Sequence, residues 1–246
     1  MPDFTTTRRD DRPTEGFTTT HLPSDPDRPV RLFLPADYQP KYAYPLVVLF
    51  HGDGGDEDAA ARLVPGLSRR NYIAACPRGP IPLGPGATGR SGFGWGEPNH
   101  QADEFLLATV AHARREYHVH SERVYLVGVG AGATVAYRLG LAMANDVAGV
   151  VALNGRMPTS ATRPLSRLKA VRGLRVFIGH GINNPVSPLS TARQAYRLLY
   201  SAGADVQLTS YPTTHRIHPD MLRDVNRWIM GAVTTDPDIA TTPTQS

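Results

Sequence analysis

Residues 124–132 read Val124-Tyr125-Leu126-Val127-Gly128-Val129-Gly130-Ala131-Gly132, and residues 133–143 continue in a helical pattern. Four apolar, mostly β-favouring residues form a strand that can be buried on both faces. Glycines at alternate positions then let the backbone turn sharply and let neighbouring chain approach closely. A buried strand that runs through glycine straight into a helix belongs to sheets whose strands are joined by helices.

Working outward, short apolar runs recur at 30–34, 46–50, 72–76, 149–153, 174–178 and 206–211. Several are apolar on both faces, as parallel strands covered by helices are. Leu106, Val110, Ala113 and Tyr117 follow one another at steps of four, three and four, which sets them on one helix face. Ser187-Pro188 reads as an N-cap followed by proline in the first turn, with Gly203 ending that helix. Met221, Leu222, Val225, Trp228 and Ile229 make an amphipathic last helix. The expected fold class is α/β, an open and mainly parallel sheet with helices on both faces. Such sheets carry their sites in loops at the carboxyl ends of the strands.

The 246 residues suit one domain. Residues 1–28, rich in Thr, Asp, Arg and Pro, read as a flexible lead-in, 29–232 as the domain, and 233–246 as a disordered tail. No run of about 18 apolar residues is present, so no membrane-spanning helix is expected. The first residues lack the apolar stretch of a secretion signal. The single cysteine, Cys76, can form no internal disulfide and suits a reducing compartment, so the expected location is the cytoplasm. Net charge is +4, carried almost wholly by arginine, with Lys41 and Lys169 the only lysines. The arginines occur as pairs such as Arg69-Arg70 and Arg114-Arg115 rather than as a dense basic face, which argues against nucleic acid as a partner. Neither a metal nor a cofactor is expected.

Two glycine loops follow central strands. Residues 46–50 lead into His51-Gly52-Asp53-Gly54-Gly55, ahead of an acidic helix start. Backbone amides in such a loop can turn toward a bound oxygen, as one does in the oxyanion hole of acyl-transfer enzymes. Asp53 and Gly54 are the candidate donors, with Ala131 from the second loop. The same glycines also suit a plain tight turn.

The second loop, Gly128-Val129-Gly130-Ala131-Gly132, answers to two patterns. In G-x-S-x-G the middle residue is a nucleophile held in a strained strand-to-helix turn, with small flanks for close approach. Here the flanks Gly128 and Gly132 are kept and the middle position is Gly130, with no oxygen or sulfur. Gly128, Gly130 and Ala133 also fit the dinucleotide fingerprint G-x-G-x-x-G/A. That fingerprint expects an acidic residue about 20 positions on, at the end of the next strand. This chain has Asn154-Gly155 there, and three strands precede the loop.

With both loops placed, the chain resembles the α/β-hydrolase superfamily, in particular small bacterial esterases of the phospholipase/carboxylesterase group. The resemblance spans roughly residues 30–229. It is carried by RLFLPADYQPKYAYPLVVLFHGDGG, AACPRGP, RVYLVGVGAG, VFIGHGINNPVSP and LTSYPTTH, in that order. It implies a serine, then an acid, then a histidine along the chain. The serine position falls on Gly130, the acid position on Asn184, and the histidine on His215, with His218 a second candidate. Two of three triad positions therefore depart from the pattern. Asparagine can hold an imidazole but cannot compensate its charge, a change that costs about 10⁴ in rate in a serine protease. Without a hydroxyl there is no acyl-enzyme route. Asp53, Ser91, His100 and Cys76 are the conceivable stand-ins, Cys76 more simply a buried apolar residue and Asp53 a turn former.

Residues 79–99, GPIPLGPGATGRSGFGWGEPN, form a Gly/Pro-rich insertion expected beside the site, with Phe93 and Trp95 as an apolar wall. The resulting reading is a carboxylesterase-like protein without serine-hydrolase chemistry that binds a small acyl or ester-like ligand or a protein partner. An active hydrolase or lyase with a displaced constellation around His215, and a dinucleotide-binding protein, are the alternatives.

Overall fold

The structure, a computed structural model, describes residues 16–85, 91–96, 100–158 and 171–234. Ten strands and six helices are described: β1 (Gly16–Leu22), β2 (Asp25–Leu34), β3 (Tyr44–Phe50), α1 (Glu57–Ala61), α2 (Val64–Leu67), β4 (Ile73–Pro77), β5 (Ile81–Pro85), β6 (Ser91–Gly94), α3 (His100–Glu116), β7 (Val119–Val129), α4 (Ala131–Ala142), β8 (Gly149–Leu153), β9 (Arg175–Gly181), α5 (Leu189–Ser201), β10 (Asp205–Tyr211) and α6 (Pro219–Thr234). Eight strands form one sheet in the order β1-β2-β4-β3-β7-β8-β9-β10, and β5 pairs with β6 in a separate hairpin. The strands from β4 to β10 run parallel, and β1 and β2 are antiparallel additions at one edge. This is the expected α/β architecture, with each of the seven expected strands in place.

Strand β3 shows why the sheet needs helices on both sides. Leu46, Val48 and Phe50 enter one apolar cluster, and Val47 and Leu49 enter the cluster on the opposite face. Strand β7 repeats the division with Val124 and Leu126 against Tyr125 and Val127. The first cluster is covered by α3, α4 and α5, through residues such as Leu106, Leu139 and Leu199; the second by α1, α2 and α6, through Ala60, Leu67 and Val225. Each large apolar side chain buried in this way contributes about 1.5–3 kcal/mol relative to exposure.

Three boundaries differ from the expectation. The lead-in assigned to residues 1–28 is in part sheet, because β1 and the start of β2 form an antiparallel hairpin between 16 and 28. Its three consecutive threonines, Thr18 to Thr20, alternate between half-buried and exposed and give no apolar signal. Residues 1–15 lie outside the described set. Residues 233 and 234, assigned to the tail, belong to α6, which runs to Thr234 and buries Val233; residues 235–246 lie outside the described set. The cap of α5 is Pro188 rather than Ser187, whose hydroxyl bonds that of Thr191 at 2.8 Å.

The strand order also positions the site. The chain passes from β3 out to β4 and then returns to β7 on the other side of β3. Loops leaving β3 and β7 thus diverge, which opens a crevice beyond their carboxyl ends. Phe50 is level with Gly128 in the register, so both loops start at the same height.

Candidate functional site

The turn from β7 into α4 is made by Gly130, with φ 56° and ψ −117°. An L side chain adopts that conformation only under strain. Its N–H donates to the Leu153 carbonyl at 2.9 Å, which ties the turn to the end of β8. The flanking glycines are required by proximity: a Cβ on Gly128 would collide with the backbone of Gly132, and one on Gly132 with the carbonyls of Phe50 and His51. Helix α4 therefore packs directly against two strand ends. A Cβ built on Gly130 would lie 3.2 Å from Nε2 of His215.

His215 lies in the loop between β10 and α6, and Asn184 in the loop after β9. Nδ1 of His215 is 3.2 Å from Oδ1 of Asn184. That oxygen also accepts the backbone N–H of Val186 at 3.0 Å and of Ser187 at 3.1 Å. Two backbone donors fix which end of the amide is the oxygen, so Nδ1 of His215 carries the proton and Nε2 presents a lone pair toward Gly130. Nδ2 of Asn184 is buried without a partner. Among the described residues no acidic side chain bonds His215. The three positions inferred from the resemblance, Gly130, Asn184 and His215, thus converge.

Asn154 is the residue that sequence reading missed. It is fully buried with φ 54°, and its Nδ2 donates to the carbonyls of His215 and Arg216, each at 3.1 Å. Its Oδ1 accepts the N–H of Gly181 at 2.8 Å. One side chain therefore clamps the His215 loop to the ends of β8 and β9. The available signal was an Asn-Gly pair directly after a buried strand, where asparagine accepts left-handed backbone more readily than other side chains do.

The loop after β3 is rigid for reasons its glycines do not reveal. Nδ1–H of the buried His51 donates to the Gly52 carbonyl at 2.8 Å, and Nε2 accepts the N–H of Gly79 at 2.8 Å. The ring is held neutral, and burial lowers its pKa below the usual 6.5. Nε1 of Trp95 donates to the His51 carbonyl at 2.8 Å. The N–H of Gly54 donates to the Phe93 carbonyl at 3.0 Å, and that of Phe93 to Gly55 at 2.8 Å. The Arg78 guanidinium forms a two-point ion pair with the buried Glu57 at 2.5 and 2.6 Å and lies over the Phe93 ring at 4.5 Å.

These contacts correct three expectations. Gly54 does not offer its amide to a ligand, because Phe93 already accepts it. Phe93 and Trp95 do not wall the cavity: they brace the loop from behind, Trp95 buried against Phe50 and His51. The described part of 79–99 is the β5–β6 hairpin, and residues 86–90 and 97–99 lie outside the described set. Asp53 and Ala131 do border the cavity.

That cavity is about 630 Å³ and is bordered by the His51 loop, the Gly130 turn, residues 154–156, Val186, Ser187 and His215. Of the conceivable stand-ins, Asp53 borders it, while Cys76 and Ser91 do not. Cys76 is buried in β4, where burial pushes its thiol pKa up; Ser91 is exposed on β6. His218 bonds the N–H of Asp220 at 3.2 Å at the start of α6. The side chain of His100, the first residue of α3, lies outside the described set. Among the described residues no group of His, Cys, Asp and Glu is arranged to hold a metal, and no helix is long and apolar enough to cross a membrane.

Comparison with known proteins bears on this arrangement. A family model described as phospholipase/carboxylesterase matches residues 39–232. A carboxylesterase from Mesorhizobium loti superposes with a TM-score of 0.66 at 21% identity, over 87% of this chain and 99% of its own. SOBER1 of Arabidopsis thaliana gives 0.63 at 18% identity, over 78% of this chain and 100% of its own. The carboxylesterase of Bacillus cereus gives 0.58 at 20% identity, over 77% and 89%. At these identities the solved structures bear on the fold. Functionally curated sequences give no match.

Proposed function

The chain belongs to the phospholipase/carboxylesterase family of α/β-hydrolases, and from that premise we propose that it is a member without serine-hydrolase activity, whose cavity binds a small acyl or ester-like ligand. The observation that carries this reading is the Gly130–His215 relationship. A histidine base faces the position from which a nucleophile would project, 3.2 Å from a Cβ there, and that position holds glycine. An acyl-enzyme needs an oxygen or sulfur at that place. The second support is Asn184, which holds His215 in one tautomer but brings no negative charge to balance an imidazolium.

A second reading has one observation in its favour. Nε2 of His215 presents a lone pair to the cavity, so it could draw a proton from water and act as a general base on an ester. Against it stands the charge-neutral Asn184, since loss of the carboxylate costs about 10⁴ in a serine protease. A single set of experiments separates the two readings. Fluorophosphonate labelling is expected to be absent, and p-nitrophenyl esters of two to eight carbons, on the order of a usual esterase panel, should turn over no faster than with free imidazole. Turnover that disappears in His215→Ala would reject the first reading and support water activation.

A further inference from the structure

We infer that the cavity selects a small carboxylate that carries its own hydroxyl, a hydroxy acid, over the corresponding neutral ester; the inference rests on the reading that residue 130 supplies no nucleophile. It follows by elimination among the polar groups on the cavity wall. The Thr134 hydroxyl donates to the Arg156 carbonyl at 2.9 Å. The Ser187 hydroxyl pairs with Thr191. Both ends of the Asn154 amide are engaged by backbone. The N–H groups of Gly54 and Gly55 are donated to the carbonyls of Phe93 and Gly52. None of these can donate to a ligand without breaking a bond already made.

Of the charged and imidazole side chains on that wall, Arg156 keeps donors, and Asp53 and His215 offer acceptors. Arg156 bridges two loops at the rim, its backbone carbonyl held by Thr134 on α4 and one terminal nitrogen donating to the carbonyl of Val186. A guanidinium has five N–H donors in a fixed fork, so several remain for a carboxylate. Asp53 is exposed, and its Oδ1 is turned to the hairpin, 3.2 Å from the place a Cβ on Gly94 would take. One oxygen of Asp53 is thus turned to the hairpin, while the guanidinium is held at the rim. Inside, Nε2 of His215 is an acceptor and needs a donor. The space beside Gly130 places a ligand O–H where a serine hydroxyl would stand. A cavity of about 630 Å³ accommodates a small acid with both groups.

The test titrates the ¹⁵N-labelled protein with glycolate, lactate and the longer ω-hydroxyalkanoates, each beside its parent acid without the hydroxyl and beside its methyl ester. Backbone shifts of Ala131, Thr134 and Arg156 are followed. One hydroxy acid of the series is expected to bind at least about tenfold more tightly than its ester and its parent acid, the scale of one charged hydrogen bond. Arg156→Gln should remove the preference for acid over ester and leave the spectrum of the core unchanged. Equal binding of acid and ester, no binding of any member, or an Arg156→Gln variant that keeps the preference would overturn the inference. Ester turnover is recorded on the same samples. Hydrolysis of the methyl esters that depends on His215 would instead reject the non-hydrolytic reading, so the two failures are told apart.

Discussion

Oδ1 of Asn184 lies 3.2 Å from Nδ1 of His215 while also accepting the N–H groups of Val186 and Ser187. One oxygen thus shapes the loop after β9 and sets the tautomer of the base. Asn184→Ala removes the acceptor shared by three donors in a partly buried corner. It is expected to lower stability by about 2–4 kcal/mol, since each orphaned buried donor costs about 1–3 kcal/mol and the loop will partly relax. Urea unfolding checks this; a loss below about 0.5 kcal/mol, the scale of a neutral surface substitution, would contradict the assignment.

Gly130→Ser places a hydroxyl next to Nε2 of His215, at the cost of about 1–3 kcal/mol for a side chain at positive φ. The single variant is expected to become labelled by fluorophosphonate and to hydrolyse p-nitrophenyl acetate slowly. Adding Asn184→Asp should raise kcat by about 10³–10⁴, the size of the carboxylate's contribution in a serine triad. If neither variant is labelled, the amides around Ala131 do not form a working oxyanion site.

Asn154 permits a cleaner dissection. Asn154→Gly keeps the left-handed backbone at 54° and loses three hydrogen bonds, whereas Asn154→Ala loses the bonds and strains the backbone as well. Alanine should therefore destabilise more than glycine, by about 1 kcal/mol. In both variants amide exchange of residues 213–217 should speed up. Unchanged exchange there would show that the clamp is not what orders the His215 loop.

Stability should fall in mild acid. Burial lowers the pKa values of His51 and His180 below the usual 6.5, with His180 held at 2.7 Å from the Ser187 carbonyl. Below about pH 6.5 the unfolded chain binds protons at these sites that the folded chain does not, so unfolding gains as pH falls. The stabilisation is complete above that pH and is lost progressively toward the depressed folded values. Thermal melts between about pH 8 and pH 5 at constant ionic strength should show a declining Tm, less steep in His51→Gln. A flat profile would mean that these rings titrate normally.

The sequence by itself determined the sheet, because burial on two faces leaves a mark in local composition. Strands such as β3 and β8 are apolar at every position, and the glycines of 128–132 announce a turn that only small residues can make. The family resemblance pointed to Gly130, Asn184 and His215, which the fold brings next to one another. Strand β1 was illegible because an edge strand with one wet face can be built from a run of threonines, which also suits a flexible lead-in.

What only the tertiary structure decided is which polar groups remain available once the loops have packed. Gly54 reads as an amide donor until Phe93, nearly forty positions on, takes its N–H. Trp95 reads as a pocket wall until its indole is found bonding His51 from behind. The Asn-Gly pair at Asn154 signals only a turn, yet its amide joins the loops at three strand ends. A hydrogen bond between distant segments leaves no periodicity in either one, so local pattern cannot reveal it. The sequence read Gly130 as a vacant nucleophile position; the fold sets a Cβ at that position 3.2 Å from Nε2 of His215.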